Sequence, residues 1–254
     1  MLRRTEAIVL KTFPYSEADL IVTFLTHDYG ILKAFAKSPR KTRSRFGSSL
    51  EPLTNSRISF WGKEDANLPR LTQSDIIRPF QPIRERLDSF IKIAGLIEIT
   101  ISLMPERDPN RDAFRLFLDT LGIIEDRILP GNADSEEAKE FLDLVAIFYK
   151  IRLLNITGYG PSLEGCARCS RTGYNFYVSH GSIICGDCAR DGETHLRISP
   201  GAVRLYGTLR KWDITKINRI KPSKPLISEL SEILSDHAEF TIATPLKTRA
   251  FTKF

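Results

Sequence analysis

The sequence predicts an α+β, multidomain chain: a five-stranded barrel first, a helical domain after it, and a small cysteine-bearing ribbon inserted in the second half. Three observations carry this. Residues 4–78 hold five short runs rich in β-branched and aromatic residues, with no helical period. From Ile83 onward, apolar residues recur every three or four positions. The chain's four cysteines all fall between positions 166 and 188 of 254, as two CxxC pairs.

The strands read as Thr5–Phe13, Asp19–Thr26, Ile31–Ala36, Leu53–Trp61 and Leu68–Ile77. His27-Asp28-Tyr29-Gly30 is a turn signal that joins the second and third as a hairpin. Five strands in so short a length suit a small barrel. The OB-fold is the five-stranded member of that class, and an SH3-like barrel satisfies the same pattern. The period changes at Pro79–Pro82, which sets the boundary: residues 1–80 as the barrel domain, 81–254 as a helical domain.

Ile83–Met104 carries a helical stripe at 83, 87, 90, 91, 94, 97, 101 and 104. Arg111–Ile124 and Glu136–Thr157 follow as helices. Asp134 or Ser135 can cap the latter, and Gly158 stops it. Ser199-Pro200 reads as N-cap and first helical residue of a helix to about Arg210, and Ser223–Phe240 is a last amphipathic helix.

Within the second domain, residues 164–190 form the cysteine segment. Cys166-Ala-Arg-Cys169 and Cys185-Gly-Asp-Cys188 are separated by fifteen residues, the spacing of two zinc knuckles. Each turn can set two thiolates on one side of a tight loop, and two turns complete a tetrahedron around one structural Zn²⁺ per chain. Tyr174–Val178 and Ser182–Ile184 read as short strands between the knuckles. A redox pair would use one CxxC near a βαβ unit, and disulfides belong to exported chains. His180 and His195 flank the segment and read as polar loop residues.

Hydrophobic residues make up 42% and charged residues 27%, ordinary for a globular chain. No apolar run reaches membrane-spanning length: Phe90–Met104 is broken by Lys92 and Glu98. Met1-Leu2-Arg3-Arg4-Thr5-Glu6 lacks the apolar core of a signal peptide, which predicts a cytoplasmic protein. The net charge of +6 is unevenly spread. Residues 1–80 carry 13 basic and 8 acidic side chains, 81–165 carry 10 and 15, and 166–254 carry 14 and 8. Two basic ends flank an acidic middle, which points to a polyanion-binding end.

Between Tyr29 and Leu50 there is no acidic residue, while Lys33, Lys37, Arg40, Lys41, Arg43 and Arg45 are all basic. Phe35 and Phe46 bracket the core of this loop, and Tyr29 and Trp61 lie nearby in sequence. Cations can track a phosphate backbone while rings stack on unpaired bases, so Lys37, Arg40, Lys41, Arg43 and Arg45 are candidate DNA contacts. A second basic set includes Arg204, Arg210, Lys211 and Lys216, against only Asp213, and suits either DNA or an acidic protein tail. Phosphate-loop, nucleophile-elbow, zinc-protease and dinucleotide motifs are all missing, which predicts a non-enzyme. Glu136, Glu137, Glu140 and Asp143 read as an exposed helix face.

The order of these features resembles the bacterial RecO family of DNA repair proteins over nearly the full length. Glu6-Ala-Ile-Val-Leu-Lys11, Tyr15–Leu20 and Thr26–Gly30 are similar to its first strands. Ala36-Lys37 through Ser44-Arg45-Phe46-Gly47 is similar to its basic loop, and Pro52-Leu53 and Leu71-Thr-Gln73 also match. Gly158-Tyr-Gly-Pro161 before the first knuckle is the most specific junction. Ser170 stands where the family often has glycine, and His180-Gly181 replaces a usual glycine pair. The resemblance implies an N-terminal OB-fold, a zinc segment and a nucleoid-associated recombination mediator. Such a protein binds single- and double-stranded DNA and anneals complementary strands. With RecR it helps load RecA on coated strands, and it contacts the acidic C-terminal tail of the single-stranded-DNA-binding protein. The alternative is a zinc-ribbon nucleic-acid adaptor without strand-pairing activity.

Overall fold

The computed structural model describes residues 1–39, 45–63, 66–128 and 135–251. Five strands close into a barrel: β1 (Leu2–Pro14), β2 (Leu20–Thr26), β3 (Gly30–Ala36), β4 (Asn55–Trp61) and β5 (Arg70–Arg78), in the order β1-β2-β3-β5-β4. β3 lies parallel to β5 and every other pairing is antiparallel. This is the OB-fold, and the parallel closure separates it from the other five-stranded reading.

β1 can serve two neighbours because it is 13 residues long and bulged. Its first half pairs with β4 and its second half with β2, with Leu10 inserted between the Val9 and Lys11 registers. A bulge bends and twists the strand there, which closes a barrel of so few strands. The paired residues trace a path around the barrel: Leu2 to Trp61, Arg70, Phe35, Ile21 and back to β1 at Phe13. The path returns eleven positions further along β1 (13 minus 2), so the strands are steeply tilted. Ala7, Val9, Val22, Phe24, Leu32, Ala34, Ile58, Phe60 and Leu71 fill the interior, together with Phe46 and Leu50 from the long β3–β4 connection.

After the barrel come α1 (Gln81–Arg84), α2 (Leu87–Leu103), α3 (Arg111–Ile128) and α4 (Glu136–Ile156). The helix expected over Ile83–Met104 is therefore broken near Glu85. At the break the Arg84 guanidinium meets the carbonyls of Pro52 and Pro79, Thr54 and Glu51, which ties the short first helix to the barrel. Then follow β6 (Ser162–Cys166), β7 (Asn175–Tyr177), β8 (Ser182–Ile183), β9 (Leu196–Arg197), α5 (Pro200–Lys211) and α6 (Lys224–Ile242).

The chain divides into two compact units, Met1–Phe90 with Met104–Glu125, and Ile91–Leu103 with Asp126–Phe254. In the first, residues after α2 return to the barrel. Glu106 bridges to Ile31, Arg111 meets Asp28 at 3.1 Å, and the Phe114 ring stands edge-on to His27. Gly30 is fixed by this return: at φ 60° it also lies where a Cβ would sit 2.1 Å from the carbonyl oxygen of Asp108. In the second unit α4 is buried on most sides and packs against α5 and α6. The expected caps form: Ser135 accepts from the Ala138 amide at 3.2 Å, Ser199 from the Ala202 amide at 3.1 Å, and Gly158 ends the α4 region at φ 83°. The sheet of the ribbon runs β6-β8-β7-β9. Among the described residues, no helix is long and apolar enough to cross a membrane.

Candidate metal centre and nucleic-acid interface

Cys166 ends β6 and Cys169 follows in the next turn, while Cys185 and Cys188 sit in the turn after β8. Parallel pairing of β6 with β8 brings the two turns to the same end of the small sheet. The four sulfurs consequently lie within 4.8 Å of one another. Cys169 Sγ and Cys185 Sγ are 3.5 Å apart, well beyond a disulfide bond, and all four thiols are free. A tetrahedral ion with metal–sulfur bonds near 2.3 Å needs sulfur–sulfur edges of about 3.8 Å, so the donor set fits one four-thiolate metal ion.

The surroundings favour thiolate at Cys166 and Cys169. The Cys185 amide, and those of Arg168 and Cys169, pull the Cys166 thiol down to about 6. Arg171 donates to Cys169 Sγ at 3.5 Å and lowers that thiol too, while its other end pairs with Asp187 at 2.8 Å. Cys188 donates to Cys169 and Cys185 and is pushed up to about 12, since the last proton of a crowded set is the hardest to remove without a cation. Arg168 ties the two turns together by donating to the Cys188 carbonyl. Arg168 and Arg171 are not among the residues that the CxxC spacing singles out, although cations inside and just after a CxxC pair are a usable signal.

The ribbon's own core is tiny: Cys166, Tyr177 and Ile184, with Cys185, Cys188 and Ala189 against them. A metal ion held by the four sulfurs would tie the two turns together on this side of the ribbon. The other face packs within the helical unit, with Phe176 edge-on to His237. Burial lowers the His237 pKa, and its Nε2 lies 2.7 Å from the Tyr159 carbonyl. His180 contacts Glu193 at 3.0 Å and His195 lies beside Tyr177, so neither joins the sulfur cluster.

At the barrel, Lys37 and Arg45 are exposed on either side of the basic loop, and the Arg45 guanidinium lies 5.0 Å from the Phe46 ring centre. Arg40, Lys41 and Arg43 lie outside the described residues. The expected aromatic partners divide. Phe46 is buried in the barrel core and unavailable for stacking, and Tyr29 packs edge-on to Phe60. Trp61 is 60% exposed.

In the distal basic set Arg204 and Lys211 share the exposed face of α5, and Lys216 is exposed beyond it. Arg210 is turned instead to Glu164, at 2.8 Å. The acidic face on α4 needs one correction. Glu136 and Glu140 reach Lys224, at 2.5 and 3.5 Å, but Asp143 points inward to Lys92 at 2.6 Å, where burial raises its pKa.

A closed OB barrel followed by a helical unit that carries a four-thiolate ribbon defines a narrow class of chain. The family model Recombination protein O N terminal matches residues 1–80, and Recombination protein O C terminal matches residues 84–250. The DNA repair protein RecO of Thermodesulfovibrio yellowstonii is 44% identical over 250 residues, covering 96% of this chain and 94% of its own. That of Syntrophus aciditrophicus is 33% identical, with 91% and 88% covered, and that of a Nocardioides species 32%, with both chains covered in full. The chain belongs to the RecO family of DNA repair proteins.

Proposed function

We propose that this chain is a non-enzymatic recombination mediator. It binds single- and double-stranded DNA, anneals complementary strands, and with RecR helps load RecA on strands coated by single-stranded-DNA-binding protein. The observation that carries the reading is the barrel's β3 running directly into an acid-free basic loop, with Lys37 exposed where the loop leaves and Arg45 where it returns. Cations held there replace the counterions of a phosphate backbone, a gain that does not depend on sequence. Two strands neutralised on one protein repel each other less, which favours pairing.

Residues 1–80 act as the nucleic-acid-binding domain, and 81–254 as the helical domain with its metal segment at 164–190. We assign the sulfur cluster one structural Zn²⁺, because four thiolates fill a tetrahedral shell and leave no position for a reacting water. Arg204, Lys211 and Lys216 receive the acidic tail of the coating protein, and Arg210 joins them by exchanging Glu164 for it.

Replacing Arg40, Lys41 and Arg43 together with Glu tests the loop. Single-strand affinity at low salt should fall at least tenfold, and the salt slope should drop by about 2, from roughly 0.7 per lost phosphate contact. Unchanged affinity and slope would move the DNA site off this loop.

A further inference from the structure

Lys150 lies late in α4 and reaches α6. Its ammonium donates to the Ser235 hydroxyl at 3.1 Å, and that hydroxyl donates onward to the Ser231 carbonyl at 2.7 Å. An ammonium has three hydrogens, so two of them meet no protein acceptor among the described residues. No carboxylate there pairs with Lys150, although its two cationic neighbours have theirs. Lys92 reaches Asp143 at 2.6 Å, and Arg249 reaches Asp236 and Glu239, both at 2.6 Å.

These three cations line one small cavity between α2, α4, α6 and the chain just after α6. It measures about 20 Å³, room for a single water-sized sphere. Thr248 closes one side, held to Glu98 of α2 by its amide at 2.8 Å and its hydroxyl at 2.6 Å. Among the described residues no carboxylate lines the cavity. Every residue that does line it belongs to the second compact unit.

Burial pushes the Lys150 ammonium down to about 8, and the charges of Lys92 and Arg249 act in the same direction. The group is therefore still a cation at neutral pH. A cation withdrawn from water needs a counter-charge, and here the chain supplies only a hydroxyl. A water molecule fits the cavity but brings no charge. Phosphate and sulfate are too large for it. A halide ion is little larger than water and carries the missing charge.

We propose that this cavity binds one chloride ion, held by Lys150 with Lys92 and Arg249 around it. The ion joins α2, α4 and α6 to the chain that follows α6, and so fixes residues 246–249 on the helical unit.

The test uses the whole protein, prepared in sodium gluconate, whose anion is too large to enter. Sodium chloride is then titrated in at constant ionic strength. The melting temperature should rise saturably, by about 3–5 °C at about ten times the dissociation constant, where binding raises the weight of the folded state about elevenfold. Amide exchange at residues 246–249 should slow along the same curve. Lys150→Met keeps the length of the side chain and removes the charge. It should fold, since an apolar chain replaces an uncompensated cation, and it should lose both responses. Crystals of the unaltered protein soaked in sodium bromide test the site without any substitution. Their anomalous signal should place an ion within hydrogen-bonding reach of Lys150 Nζ. Equal chloride responses in the unaltered chain and in Lys150→Met would reveal a general salt effect and overturn the site. So would no chloride response in the unaltered chain, or a bromide map with no signal in this cavity.

Discussion

Ser170 holds a left-handed backbone at φ 62°, immediately after the first knuckle. A side chain there costs about 1–2 kcal/mol against an ordinary conformation, and glycine is free of that cost. Glycine gains entropy in the unfolded chain, so Ser170→Gly should stabilise by a net 0.5–1 kcal/mol, roughly 2–4 °C in melting temperature per kcal/mol for a chain of this size. A lower melting temperature would show that the serine hydroxyl contributes more than the strain removes. The four cysteines were legible at this scale because spacing alone encodes a knuckle. The sorting of the aromatics was not: Phe46 and Trp61 both flank loops in sequence. Phe46 packs into the barrel core from the β3–β4 connection, while Trp61 faces outward by its register on β4, and neither placement is written in composition.

Among the elements, the ribbon is the one whose order a bound metal ion would affect most. Freshly purified, reduced protein should contain one zinc per chain by elemental analysis. Chelation, or Cys185→Ser with Cys188→Ser, should raise amide exchange across Ser162–Arg197 while the barrel strands stay protected. Metal-free protein with an ordered ribbon would contradict the assignment. Strands and helices were readable because their periods differ, and hairpin and caps because His27–Gly30, Ser135 and Ser199 carry their own turn chemistry. The break between α1 and α2 is not legible in the apolar stripe, which runs through it, and the Arg84 contacts beside it reach Pro52 and Glu51, more than thirty residues earlier in the chain. Asp143 was misread for a related reason. An acidic run looks solvated until Lys92, on another helix, is brought to 2.6 Å.

For the whole molecule, sequence periodicity changes at Pro79, yet the compact units interleave beyond that point. Residues 104–125 return to the barrel unit, while 91–103 belong with the second. The apolar stripes mark which faces are buried but not against which partner, and the contacts of Gly30, Asp28 and His27 with the returning segment decide it. Charge follows a similar division, with the basic loop at the barrel and a second basic group on α5 and beyond. On the proposed function these surfaces act together on two strands. Annealing of complementary oligonucleotides precoated with the cognate single-stranded-DNA-binding protein, with and without this chain, tests it most directly. The chain is expected to accelerate annealing, and more weakly so when Arg40, Lys41 and Arg43 are replaced with Glu. DNA binding without any acceleration would contradict it and leave a zinc-ribbon adaptor with no strand-pairing activity.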